Sequence, residues 1–128
     1  MIMEILMRPD FHPKLFFLCL SLFFSSLFFT PSLLAADPIW IDVRTTDEYN
    51  GGHVSEAVNI PYTEISEDIA ELTGDKDATI YVYCRSGRRS GIAKKTLEGL
   101  GYTQVVNIGG FETAMKKSAT DSTRDTVQ

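Results

Sequence analysis

The sequence predicts a small α/β domain with a mainly parallel central sheet flanked by helices, preceded by a signal peptide. Three observations carry this. Short β-branched and aromatic runs alternate with stretches of helical periodicity. One of the runs, "TIYVY" (Thr79 to Tyr83), is apolar on both faces, as strands in the middle of a parallel sheet are. The third is a Phe/Leu/Ser run from Leu15 to Phe29, behind Lys14 and ahead of Pro31 and the small residues Ala35 and Ala36. That order of a basic residue, an apolar stretch and a small-residue cleavage site is a secretory leader.

Taken in order, residues 1–36 are the leader, with cleavage after Ala36 or one residue earlier. An uncleaved membrane anchor is the alternative, since Leu15 to Leu34 is nearly long enough to span. Either way the rest of the chain leaves the cytoplasm, and the periplasm is the expected location. "IWIDV" (Ile39 to Val43) is a first strand, and "TTDEYN" a single helical turn with Thr45 or Thr46 as cap. "GGHVSEAVNIP" is a loop that feeds a small strand at Ala57 to Ile60. Ile65, Ile69 and Leu72 mark an amphipathic helix closed by Gly74. After Thr79 to Tyr83 comes a helix over residues 90–100, with Ile92, Ala93, Leu97 and Leu100 inward and Gly99 and Gly101 at its end. "TQVVNI" is the last strand, "GG" a turn and "FETAMKK" a short closing helix, so that the domain occupies residues 37–117. Residues 118–128, "SATDSTRDTVQ", have almost no apolar content and are expected to be a disordered tail.

Without residues 1–36, 92 residues remain and the formal charge stays at −5. That length supports one small core. The acidic balance argues against a nucleic-acid surface. No apolar surface stripe demands a partner, so a monomer is expected, free of the membrane once the leader is cut. Cys19 lies in the leader, which leaves Cys84 alone in the exported part, either as an inert core thiol or as a reactive one.

Its surroundings favour the reactive reading. Cys84 follows the central strand directly, and "CRSGRRS" runs from it into a helix start. Ligands of open α/β sheets sit beyond the carboxyl ends of the strands. A thiol there is turned toward thiolate by unpaired amides and by cations. Gly87 lets the loop curl so that successive N–H groups point inward, with Ser90 as the helix cap. Arg85, Arg88 and Arg89 add full charges suited to an oxyanion. A solvated basic turn behind a core cysteine would use each feature singly, but an activated thiolate with an anionic substrate needs all of them together.

The loop from Cys84 through Arg85, Ser86, Gly87, Arg88 and Arg89 resembles that of the rhodanese family of sulfurtransferases, and most of all the phage-shock-type periplasmic rhodaneses. "WIDVRTTDEYNGGHV", with Asp42, Arg44, Glu48 and His53, is similar to the family's amino-terminal signature. "EAVNIP" and "LGYTQVVNIGGFETA" follow in the family's order, so the likeness runs from about Trp40 to Met115. Two positions depart from it: Glu56 stands where glycine is usual, and Met115 where tryptophan is.

The resemblance implies a thiosulfate sulfurtransferase that carries sulfur as a persulfide on Cys84. Its partners would be a small-molecule sulfur donor, thiosulfate, and a thiophilic acceptor such as cyanide. No metal and no cofactor are implied. Arg85 and Arg89 would hold the sulfonate oxygens and the loop N–H groups the persulfide, with Ser86, Gly87, Arg88 and Ser90 completing the substrate-binding loop and Arg88 turned more to solvent. Asp42 and Arg44 are candidates to carry chemistry, but Asp42 is read instead as a scaffold anion orienting a loop arginine; His53, a candidate general base, is read as a structural histidine bound to backbone in the loop. Two rivals stand beside this. A cysteine-loop phosphatase or arsenate reductase needs an arginine six residues after the cysteine, where this chain has Ser90. A persulfide carrier or anion-binding module without catalysis would have the same loop.

Overall fold

A computed structural model of the protein describes residues 36–126. The expected leader, residues 1–36, lies outside them apart from Ala36. Four strands form one parallel sheet in the order β2-β1-β3-β4: β1 Ile39–Asp42, β2 Val58–Asn59, β3 Thr79–Tyr83 and β4 Gln104–Gly109. Four helices connect and cover them: α1 Thr46–Asn50, α2 Ile65–Leu72, α3 Arg88–Gly99 and α4 Phe111–Asp125. This is the α/β class that the alternation of runs predicts.

β3 has neighbours on both edges and no polar face, which is why "TIYVY" lacks strand alternation. On one side of the sheet Ile41, Val43, Ile80, Val82 and Cys84 pack with Ile65 and Ile69 of α2 and Ala93 and Leu97 of α3. On the other, Trp40, Val54, Ala57 and Tyr83 pack with Ala114 of α4. Trp40 is core, its ring edge-on to Tyr81 at 5.0 Å.

Local chemistry explains the helix ends. Thr45 caps α1 by accepting from the Glu48 N–H, and the Glu48 carboxylate accepts from the Thr45 N–H in return. α2 stops at Thr73 in an extended conformation, so Gly74 is not the cap that the sequence suggests. At the far end of α3, Gly101 is left-handed (φ 96°) and its N–H reaches the Glu98 carbonyl, as expected of the glycine there.

Three sequence expectations are corrected. α3 begins at Arg88, not at residue 90, because Gly87 sits at φ 97° and turns the chain straight from the loop into the helix. Ser90 is therefore three residues inside α3 and caps nothing. Its buried ridge is Ser90, Ala93 and Leu97, and Ile92 and Leu100 are exposed. Each helical residue turns about 100° from its neighbour, and a ridge this narrow leaves both outside. Residues 118–125 belong to α4 and are not a disordered tail. Polar contacts replace the missing apolar ones: Lys117 pairs with Asp121 at 3.0 Å, and the Ser118 and Ser122 hydroxyls donate to Glu56 at 2.9 and 3.4 Å. Glu56, the departure from glycine, thereby anchors the helix.

β4 ends against the cysteine loop. The Cys84 N–H donates to the Gly109 carbonyl at 3.1 Å, and Ser86 pairs with Gly110 in an antiparallel bridge. Gly109 is at φ 100°, and a Cβ on Gly110 would lie 2.8 Å from the Arg85 carbonyl oxygen. Gly110→Ala should therefore destabilise the fold by about 1–3 kcal/mol through forced backbone separation, read as a lower urea midpoint. An unchanged midpoint would mean the loop does not need this approach.

Candidate active site

Cys84 stands immediately after β3, where the chain leaves the sheet. It exposes 1% of its surface and packs with the core on one face of the sheet, while its sulfur meets the loop that follows. The Gly87 N–H donates to Sγ at 3.0 Å, and the Ser90 hydroxyl oxygen lies 3.5 Å from Sγ. Burial by itself raises the thiol's pKa. The Ser90 hydroxyl and the N–H groups of Ser90, Ser86 and Gly87 outweigh it and bring Cys84 down to about 7. The lowered value favours the thiolate relative to a free cysteine.

The three arginines divide into two kinds. Arg89 is half-buried, and its guanidinium grips the Glu48 carboxylate of α1 with both forks, at 2.7 and 2.9 Å. Glu48 holds the Arg89 pKa above its usual value, and the proximity of Cys84 adds to this. Arg85 and Arg88 are exposed and have no acidic partner among the described residues. The first turn of α3 contains no acid, only Arg88 and Arg89. Cations at a helix amino terminus oppose the helix dipole, so this placement disfavours the helix unless an anion sits nearby. A cavity of ≈ 440 Å³ opens beside the loop, lined by Arg44, Glu48, Gly51, Gly52, Arg85 and Phe111 among others.

The supporting residues are scaffold. Asp42 is fully buried and pairs with Arg44, from Nη2 at 2.7 Å and Nε at 3.0 Å, and accepts from the Arg44 N–H at 2.9 Å. The arginine it orients is thus its neighbour on the β1 side, not one of the cysteine loop. Arg44 continues to the Gly52 carbonyl at 2.7 Å and lies over the Phe111 ring at 4.4 Å, tying the α1–β2 loop to α4. His53 stacks on Tyr49 at 3.6 Å and its Nδ1 lies 2.9 Å from the Tyr49 carbonyl oxygen, so it meets backbone as the sequence suggests.

One site residue escapes the sequence reading. Asn107 of β4 bonds to Ser90 Oγ, to the Gly87 carbonyl and to the Gly109 N–H at 2.7, 3.0 and 2.9 Å. Its only signal is a short polar residue two before the double glycine of "VVNIGG".

The Rhodanese-like domain family model matches residues 32–117. Among curated proteins, the chain is 46% identical to the thiosulfate sulfurtransferase PspE of Escherichia coli (strain K12) over 87 residues, covering 68% of this chain and 83% of that protein. It is 38% identical to thiosulfate sulfurtransferase 18 of Arabidopsis thaliana over 92 residues, covering 62% of this chain and 67% of that one. A solved structure described as a rhodanese with anions from E. coli superposes with a TM-score of 0.59 at 47% identity, covering 60% of this chain and 91% of that one.

The Arg89–Glu48 pair has a pH signature. Hydrogen bonding from Arg89 lowers the Glu48 pKa from 4.5 to about 2. A carboxyl lowered on folding stabilises the fold above its unfolded pKa and ceases to as pH falls through the folded one. Glu48→Gln should therefore have a lower urea midpoint than the native protein above pH 4.5, with the gap closing as pH approaches 2. A gap independent of pH would show that the ion pair contributes nothing through its charge.

Proposed function

The chain belongs to the rhodanese-like domain family, and from this we propose that the sulfurtransferase takes sulfane sulfur from thiosulfate and carries it as a persulfide on Cys84. The Cys84 thiolate attacks the outer sulfur of thiosulfate. The S–S bond of thiosulfate breaks and sulfite departs with the bonding electron pair, while a new S–S bond forms at Sγ. A thiophilic acceptor such as cyanide then attacks the outer sulfur of the persulfide, and Cys84 recovers its electron pair as thiolate. This is covalent catalysis by a lowered-pKa nucleophile, and sulfite leaves without needing a proton from the enzyme.

The observation that carries the reading is the Gly87 N–H aimed at Sγ at 3.0 Å, in a loop whose exposed Arg85 and Arg88 have no acidic partner among the described residues. Arg85, which lines the adjacent cavity, is assigned the sulfonate oxygens. Arg89, whose fork Glu48 occupies, supplies positive potential at the sulfur instead of a bidentate grip. Arg88 adds charge at the rim. The leader in residues 1–36 supports export to the periplasm, and no described helix is long and apolar enough to cross a membrane.

Intact mass before and after thiosulfate tests the reading. The native protein should gain one sulfur atom, cyanide should remove it, and Cys84→Ser should neither gain sulfur nor transfer it above the uncatalysed rate. Sulfur gain by Cys84→Ser would place the chemistry elsewhere. No gain by the native protein, with turnover of an aryl phosphate, would favour the phosphatase alternative.

A further inference from the structure

Two groups that face Cys84 Sγ, the Gly87 N–H and the Ser90 hydroxyl, come from the loop end and the first turn of α3. One side chain outside the loop holds both. Asn107 Nδ2 donates to the Gly87 carbonyl at 3.0 Å, and Oδ1 accepts from Ser90 Oγ at 2.7 Å and from the Gly109 N–H at 2.9 Å. The amide cannot be reversed, because the Gly87 carbonyl requires a donor and the Gly109 N–H an acceptor. Asn107 sits on the edge strand β4 and is itself exposed, so neither core packing nor sheet pairing of its side chain accounts for these bonds.

Gly87 has the left-handed conformation, which a glycine can easily leave. Its carbonyl accepts from the Gly91 N–H of α3 at 3.0 Å and, from outside the helix, from Asn107 at 3.0 Å, and Ser86 is tied to Gly110. Ser90 has one hydroxyl proton and two acceptors within reach. While Cys84 is a thiol, the shorter bond to Oδ1 takes the proton. When the sulfur is an anion, rotation about Cβ–Oγ delivers it to Sγ without moving the oxygen. We propose that Asn107 is a positioning residue that tunes the nucleophile by fixing Gly87, whose N–H faces the sulfur. The proposal rests on Cys84 being the nucleophile, but its test reads the thiol and not sulfur transfer, so the two can fail separately.

The charged groups on the surrounding elements are Arg88 and Arg89 of α3, the latter with Glu48 of α1, Arg85 in the loop, and Asp42 and Arg44 at the end of β1. α2 turns the apolar Ile65 and Ile69 toward the core on this side. Exchanging Asn107 for an uncharged residue alters none of these charges.

The test is the rate of iodoacetamide alkylation of Cys84 against pH, with thermal melting measured in parallel. The native inflection is expected near 7. In Asn107→Ala it should rise by about one unit, the equivalent of losing one hydrogen bond to an anion. Asn107→Leu, which keeps the bulk on an exposed strand position, should show the same rise and decides the matter if the alanine variant does not fold. An unmoved inflection with a lower melting temperature would make Asn107 purely structural and overturn the proposal. A downward shift would overturn it too, since Asn107 would then be only a competitor for the serine proton.

Discussion

A sulfur anion at the end of a buried strand survives only where hydrogen-bond donors converge on it faster than burial excludes the charge. At Cys84 burial acts against the thiolate, and the loop amides and the Ser90 hydroxyl prevail, bringing the thiol to about 7. The loop achieves this in very few residues. Gly87 must be left-handed for its N–H to turn back onto Sγ three residues earlier. A side chain at Gly87 would also approach the Gly109 Cα at 3.2 Å. Two glycines on different elements thus serve one close approach, and the fold around it is arranged to permit that approach.

Electrostatics supports the same conclusion by a cost. Arg88 and Arg89 occupy the positive end of α3, where aspartate or glutamate would stabilise the helix. Arg89 is compensated by Glu48, which also closes the capping box of α1. One carboxylate therefore links a helix start on the β1 side with the charge beside the sulfur. Arg85 and Arg88 have no such compensation among the described residues, and the chain as a whole carries −5. Two solvated cations beside the sulfur of an acidic protein give this end of the sheet a local positive charge.

Most of the frame is legible in the sequence because it is written in apolar periodicity. β3 and the buried residues Ile65 and Ile69 follow from it directly, as does Cys84 at a strand end. What is not legible depends on contacts distant in sequence. That α3 begins at Arg88 depends on a left-handed residue, which glycine permits without requiring. The helical end of α4 rests on Glu56, more than sixty residues away, and on serines that would elsewhere mark a loop. The engagement of Arg89 by Glu48 spans 41 residues, and no local pattern distinguishes Arg89 from Arg85. Asn107 has no periodicity of its own and becomes visible only once β4 lies beside the loop.

These long-range contacts share a purpose. The loop is short and glycine-bearing, and on its own it would sample many conformations. Each group that faces the sulfur or its charge is instead fixed from outside: the Cys84 N–H by the Gly109 carbonyl, Ser86 by Gly110, Gly87 and Ser90 by Asn107, and Arg89 by Glu48. Donors already in place when charge develops at the sulfur do not have to reorganise, and in a water-poor site that advantage is large. β4 with its following glycine and α1 supply the anchors, and the loop contributes the atoms that touch sulfur. Precision at the sulfur is thereby a property of the whole domain and not of the loop alone.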